Sequence, residues 1–169
     1  VGSFSSNIDL IERTYNVALT KGADLVVFPE MCITGYPPQD LLWKKDFITK
    51  NYQSLEKLSK KCTLPMIVGY VRGEGNRLFN SAALCQDGKI CDNYDKILLP
   101  TYDVFDESRY FSAGKKPGIW SININEKQFN LGIQICEDLW DSNYDIKVVN
   151  DQFLKPTSAR MIPPLDYSG

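Results

Sequence analysis

Histidine is absent from all 169 residues. That absence removes Ser/His/Asp and Cys/His proton relays, whose base is an imidazole, and it removes the commonest neutral metal ligand. Any hydrolytic chemistry here takes its proton transfer from a carboxylate, lysine, tyrosine or cysteine, and no metal site is expected. Blocks of basic charge are missing too: 19 Lys and Arg stand against 21 Asp and Glu, scattered along the chain. Nucleic acid, which needs clustered cations, is not expected as a partner. The longest apolar runs, such as LeuValValPhe at 25–28 and MetIleValGly at 66–69, fall far short of the roughly 20 residues that span a bilayer, so no membrane segment is expected. Cys32, Cys62, Cys85, Cys91 and Cys136 are odd in number and form no CxxC pair, which points to a reducing, cytoplasmic setting rather than a secreted disulfide framework. The chain opens on Val1 instead of Met and carries no charged-then-apolar leader, so it reads as a fragment.

What is present reads as an α/β protein. Ile8, Ile11, Tyr15 and Ala18 recur at three- and four-residue spacing, predicting an amphipathic helix over 5–21 that Gly22 ends. AlaAspLeuValValPhe (23–28) predicts a strand buried on both faces, stopped by Pro29 just before Glu30. ProProGlnAsp (37–40) is a loop or helix start. Phe47, Leu55, Leu58 and Cys62, with lysines between them, predict a second helix over 46–62. Residues 64–71, 78–85 and 90–96 are strands joined at GlyGluGlyAsn and AspGlyLys turns, a meander that ends at Lys96. Residues 97–117 lack a period but are rich in Tyr, Phe, Asp and Arg, the composition of an ordered loop beside a site. Strands resume over 118–124 and 129–135, the second running into Cys136; Asp138, Trp140 and Tyr144 follow in a helix or loop. Two helices, about six strands and a βαβ-type opening define the class.

Glu30, Lys96 and Cys136 each stand at the end of a strand, where polar groups on one sheet edge converge. Their chemistry is complementary. A lysine cation favours the thiolate of Cys136, and a carboxylate within reach takes the thiol proton during attack. Glu30 can then protonate a leaving amine and activate a deacylating water. Lys96, with a backbone N–H just after the nucleophile, can stabilise the tetrahedral oxyanion. A lone cysteine on an apolar strand is ordinarily a small core residue, and Cys32, Cys62, Cys85 and Cys91 are read that way.

Three segments carry a resemblance: PheProGluMetCysIleThrGlyTyrProProGlnAspLeuLeu (28–42), AspLysIleLeuLeuProThrTyrAspValPheAspGluSerArgTyrPhe (95–111) and GlyIleGlnIleCysGluAspLeuTrp (132–140). They resemble the nitrilase superfamily and, within it, the glutaminase domains of glutamine-dependent NAD⁺ synthetases. The resemblance implies an α-β-β-α sandwich with a Glu–Lys–Cys triad at Glu30, Lys96 and Cys136. It further implies a glutamine-contacting Tyr102, a pocket or tunnel-mouth Tyr36, and a Glu137 that supplies the oxyanion-hole N–H. It implies glutamine hydrolysis through a γ-glutamyl thioester, with ammonia passed through a tunnel to a synthetase domain of the same polypeptide. There ATP and Mg²⁺ drive amidation of nicotinic acid adenine dinucleotide; the glutaminase part itself needs no cofactor. A homo-oligomer is expected of the full-length protein.

The resemblance covers residues 1–147, taken as a partial glutaminase domain whose first strand and C-terminal half are missing. Residues 148–169, rich in Pro and Ser, are an unassigned tail, which pieces joined across gaps would explain. Two alternatives stand beside this reading: a free-standing amidase or carbamoylase of the same superfamily, and a catalytically silent interaction domain. The wording of 97–111 speaks against the first, and retention of all three triad residue types against the second.

Overall fold

A computed structural model describes residues 1–143. The apolar stripe read from the sequence folds as α1 (Phe4–Thr20), which buries Ile8, Ile11 and Tyr15. β1 (Val26–Val27) follows, then a one-turn 3-10 helix (Gln39–Trp43) and α2 (Lys45–Ser59). The meander comes next as β2 (Met66–Glu74), β3 (Arg77–Gln86) and β4 (Lys89–Asp95). A 3-10 turn (Glu107–Arg109) interrupts the long loop, and β5 (Gly118–Ile124) with β6 (Lys127–Ile133) forms a hairpin. A 3-10 helix (Cys136–Asn143) ends the described residues.

The strands make two sheets. One runs β1-β2-β3-β4, with β1 parallel to β2 and the other pairs antiparallel; the second is the β5-β6 hairpin. β2 and β3 are the strands covered on both sides. Met66, Val68 and Tyr70 with Ala83 and Cys85 pack on Ile8, Ile11, Leu55 and Leu58 of the helices. Ile67, Ala82 and Leu84, which point the other way along the pleat, pack on Trp120 and Ile122 of β5 and on Ile135. Helices, sheet and second sheet therefore stack as three layers.

Three expectations change. The 23–28 run pairs only at Val26–Val27, and Val27 is 64% exposed, because it stands on the wall of an open cleft between this strand and β6. The second helix stops at Ser59, leaving Cys62 buried in the following turn. Cys91 is exposed rather than core: Cys85 pairs with Ile90 and Leu84 with Asp92, so Cys91 is the extra residue of a bulge on the edge strand. Calls on residues 144–169, including Tyr144 and the tail, fall outside the described residues.

The outer edge of β2 is what positions the site. Its exposed backbone groups are taken in succession: Phe28 N–H donates to Ile67 O (2.8 Å) and Ile33 N–H to Gly69 O (3.3 Å). Further along, the buried amide of Asn51 from α2 pairs with both backbone groups of Val71. The turn that carries Glu30 is thereby laid directly on Gly69. A Cβ there would stand 2.4 Å from both Met31 N and Pro29 O, so only glycine admits so close an approach.

Candidate active site

Lys96 leaves the end of β4 with its backbone held on both sides: its N–H donates to Asn80 O (2.9 Å), and Gly114 N–H donates to its carbonyl (2.8 Å). Its side chain is fully enclosed, and its ammonium meets Glu30 Oε1 at 2.9 Å and Glu107 Oε1 at 3.0 Å. Burial alone would lower the ammonium, but the two carboxylates outweigh it and hold its pKa above the ordinary lysine value. Glu107 is 5% exposed. Burial pushes its carboxyl up, against the opposing pull of Lys96. Tyr36 donates its hydroxyl to Glu107 Oε1 at 3.3 Å, and burial beside the two carboxylates raises that phenol.

Cys136 sits where β6 gives way to the last 3-10 helix, with φ at 47°. That left-handed backbone is costly for a side chain other than glycine, about 1–3 kcal/mol, and such strain is typical of residues held for function. The residue is exposed to solvent. Burial of its flank raises its pKa, Lys96 opposes that rise, and Glu30, Glu107 and Glu137 add to it. The thiol is thus neutral at rest, and a base must take its proton as it attacks.

A clamp ties the two strand ends together. Asp138, buried at 4% exposure, accepts from Ile97 N–H (3.1 Å) and Leu98 N–H (2.8 Å) through Oδ1. Through Oδ2 it accepts from Tyr94 O–H (2.7 Å) and Ile135 N–H (3.0 Å). One carboxylate therefore bridges the segment after Lys96 and the segment before Cys136.

Glu30 and Cys136 share the wall of a cleft of about 360 Å³, lined mainly by apolar residues including Leu25, Val27 and Leu131, with Ser81 and Gln134 as further polar members. This lies at the small end of ligand cavities, roughly 300–1,000 Å³. Tyr36 and Glu107 line a second cavity of about 310 Å³ with Phe105, Tyr110 and Phe111. Tyr102, half exposed, donates its hydroxyl to Glu137 Oε2 at 2.7 Å, which raises the phenol's pKa; Glu137 itself is buried. All six residues picked from the sequence, Glu30, Lys96, Cys136, Tyr36, Tyr102 and Glu137, therefore fall in one linked neighbourhood.

Sequence reading missed two members. Glu107 belongs to the loop already read as lying beside a site, but no periodicity marks it. Asn80 follows Phe79 in an unbroken strand and looks like an interior polar residue. Among the described residues no group of three or more His, Cys, Asp or Glu is placed to hold a metal ion.

Fold and cluster together define a nitrilase-type α/β sandwich with a cysteine, a lysine and carboxylates gathered at its strand ends. The family model for carbon-nitrogen hydrolases matches residues 1–150, and the chain belongs to that family. It is 35% identical over 144 residues to the glutamine-dependent NAD(+) synthetase of Thermotoga maritima, covering 83% of this chain and 24% of that protein. It superposes with a TM-score of 0.77 and 32% identity on the glutamine-dependent NAD+ synthetase of Acinetobacter baumannii, over 89% of this chain and 27% of that one. A Nesterenkonia amidase of the nitrilase superfamily shares the fold, with a TM-score of 0.68 and 21% identity over 82% of this chain and 52% of that one. The chain spans about a quarter of the length of the curated relatives it matches.

Proposed function

We propose that this chain hydrolyses glutamine to glutamate and ammonia as the glutaminase part of a glutamine-dependent NAD⁺ synthetase. The observation that carries the reading is the enclosed Lys96 bound to Glu30 beside Cys136; the synthetase branch is supported by the relatives' names. Cys136 Sγ attacks the side-chain amide carbon while Glu30 takes the thiol proton. The tetrahedral oxyanion draws on the positive charge of Lys96 and on the Glu137 backbone N–H. Glu30 returns the proton to nitrogen, the C–N bond breaks, and ammonia leaves a γ-glutamyl thioester. Glu30 then deprotonates water, which releases glutamate and restores the thiol. Tyr102, held on Glu137, contacts the glutamine, and Tyr36 borders the pocket beside Glu107.

In this reading ammonia passes to a synthetase domain of the same cytoplasmic, homo-oligomeric polypeptide. There ATP and Mg²⁺ drive amidation of nicotinic acid adenine dinucleotide.

The test compares the natural full-length protein with Cys136→Ala. The variant is expected to lose glutamate release and glutamine-dependent NAD⁺ formation while keeping synthesis from ammonium. Unchanged glutamine hydrolysis in the variant would remove Cys136 as nucleophile. Absence of NAD⁺ synthesis in both proteins would favour a free-standing amidase acting on another small amide.

A further inference from the structure

Two buried asparagines, Asn51 of α2 and Asn80 of β3, are used differently. Asn51 is satisfied at both ends by the backbone of Val71, as a structural amide is. Asn80, 1% exposed, donates its Nδ2 to Glu30 Oε1 and, at 3.4 Å, to Glu107 Oε2. Its Oδ1 accepts from no described residue. A half-satisfied buried amide costs about 1–3 kcal/mol, so packing alone does not account for asparagine at this position. The opposite amide orientation would face its carbonyl oxygen onto two carboxylates, so electrostatics fixes the donor side.

A primary amide is the side-chain group that offers two N–H donors without charge. It can bridge two carboxylates without adding a second cation to compete with Lys96. Glu30 Oε1 thereby receives two donors, Asn80 and Lys96, while Glu30 Oε2 accepts from no described side chain. The unbridged oxygen is the one left for the thiol proton, in a residue that shares the cleft wall with Cys136.

We propose that Asn80 is a positioning residue: it fixes the Glu30 carboxylate so that Oε2 serves Cys136. This rests on the assignment of Glu30 as base and Cys136 as nucleophile. The other groups around Glu30 are Lys96 and Glu107, with Tyr36 on Glu107 and the Cys136 thiol itself. Asn80→Ala changes none of their charges.

The experiment compares Asn80→Ala and the isosteric Asn80→Asp with the parent full-length protein, using glutamate release across pH and melting temperature as a folding control. A donor lost from a carboxylate destabilises its charged form, so the acid limb of kcat in the variant moves to higher pH. Asn80→Asp moves it further, because a third carboxyl faces Glu30 and Glu107. At neutral pH kcat falls at least about tenfold with KM little changed. A structural role would lower melting temperature and leave the acid limb in place, and that result overturns the proposal. Asn80→Asp keeps the side-chain shape and decides the matter where Asn80→Ala fails to fold. Should the parent release no glutamate, the glutaminase reading fails on its own. The acid limb of Cys136 alkylation by iodoacetamide, mapped by mass, then judges Asn80 by the same criterion, moved or unmoved.

Discussion

Lys96 has its ammonium between carboxylates at 2.9 and 3.0 Å and no solvent at its side chain. Burying one ion costs several kcal/mol even after relaxation, and an enclosed lysine persists only where its partners are equally well placed. Here two carboxylates answer one ammonium, so the trio carries a net negative charge. Burial of the Cys136 flank, and after it the carboxylates of Glu30, Glu107 and Glu137, hold that thiol's pKa up, although the Lys96 cation opposes the rise. Lys96→Met leaves Glu30 and Glu107 facing each other uncompensated, and is expected to destabilise the protein by about 3–5 kcal/mol in urea unfolding at neutral pH. The sign with pH follows. Glu107 already has its pKa raised, and protonation of either carboxyl relieves the repulsion, so the deficit shrinks as pH falls. A loss under about 1 kcal/mol at neutral pH would mean that the trio is not compensated as the distances imply.

β2 is the element on which the site is registered, through the turn laid across Gly69. Gly69→Ala puts a methyl group against two backbone atoms of that turn, so the turn bearing Glu30 must lift. The expected cost is about 1–3 kcal/mol of stability, together with a fall in kcat of up to about 100-fold, since a displacement near 1 Å is enough to lose that much. Melting temperature and glutamate release measured side by side check it; an unchanged kcat would detach Glu30 from this register. Elements of this kind were legible in the sequence. Apolar runs and turn residues located β2 through β6, and the strand-end contexts of Glu30, Lys96 and Cys136 drew attention to all three. Legibility ended where long-range packing decided the outcome. Whether Val27 is covered depends on the cleft that opens beside it. Cys91 turns outward because of a bulge, and a bulge has no signature in composition. Glu107 and Asn80 become site residues only when segments far apart in sequence meet, as the strand residue Asn80 and Glu30, 50 residues apart, do.

At the scale of the whole molecule, helices, sheet and second sheet make three layers of the nitrilase sandwich, and no helix among the described residues is long and apolar enough to cross a membrane. The five cysteines are distributed across these layers by depth. Cys91 and Cys136 are open to solvent, Cys32 is partly covered, and Cys62 and Cys85 lie under the helices. Burial pushes the Cys32 thiol up to about 12, and the hydrogen bond with Cys62, aided by burial, pushes the Cys85 thiol up as well. Reactivity toward a maleimide, followed by peptide mass mapping, is expected to separate Cys91 and Cys136, labelled in the native protein, from Cys32, Cys62 and Cys85. Early labelling of Cys85 would contradict the layer order. Because Cys62 and Cys85 sit at the helix–sheet seam, their modification rate in the absence of denaturant measures how often that seam opens. The chain carries its own breathing gauge, read in sulfur and independent of any substrate.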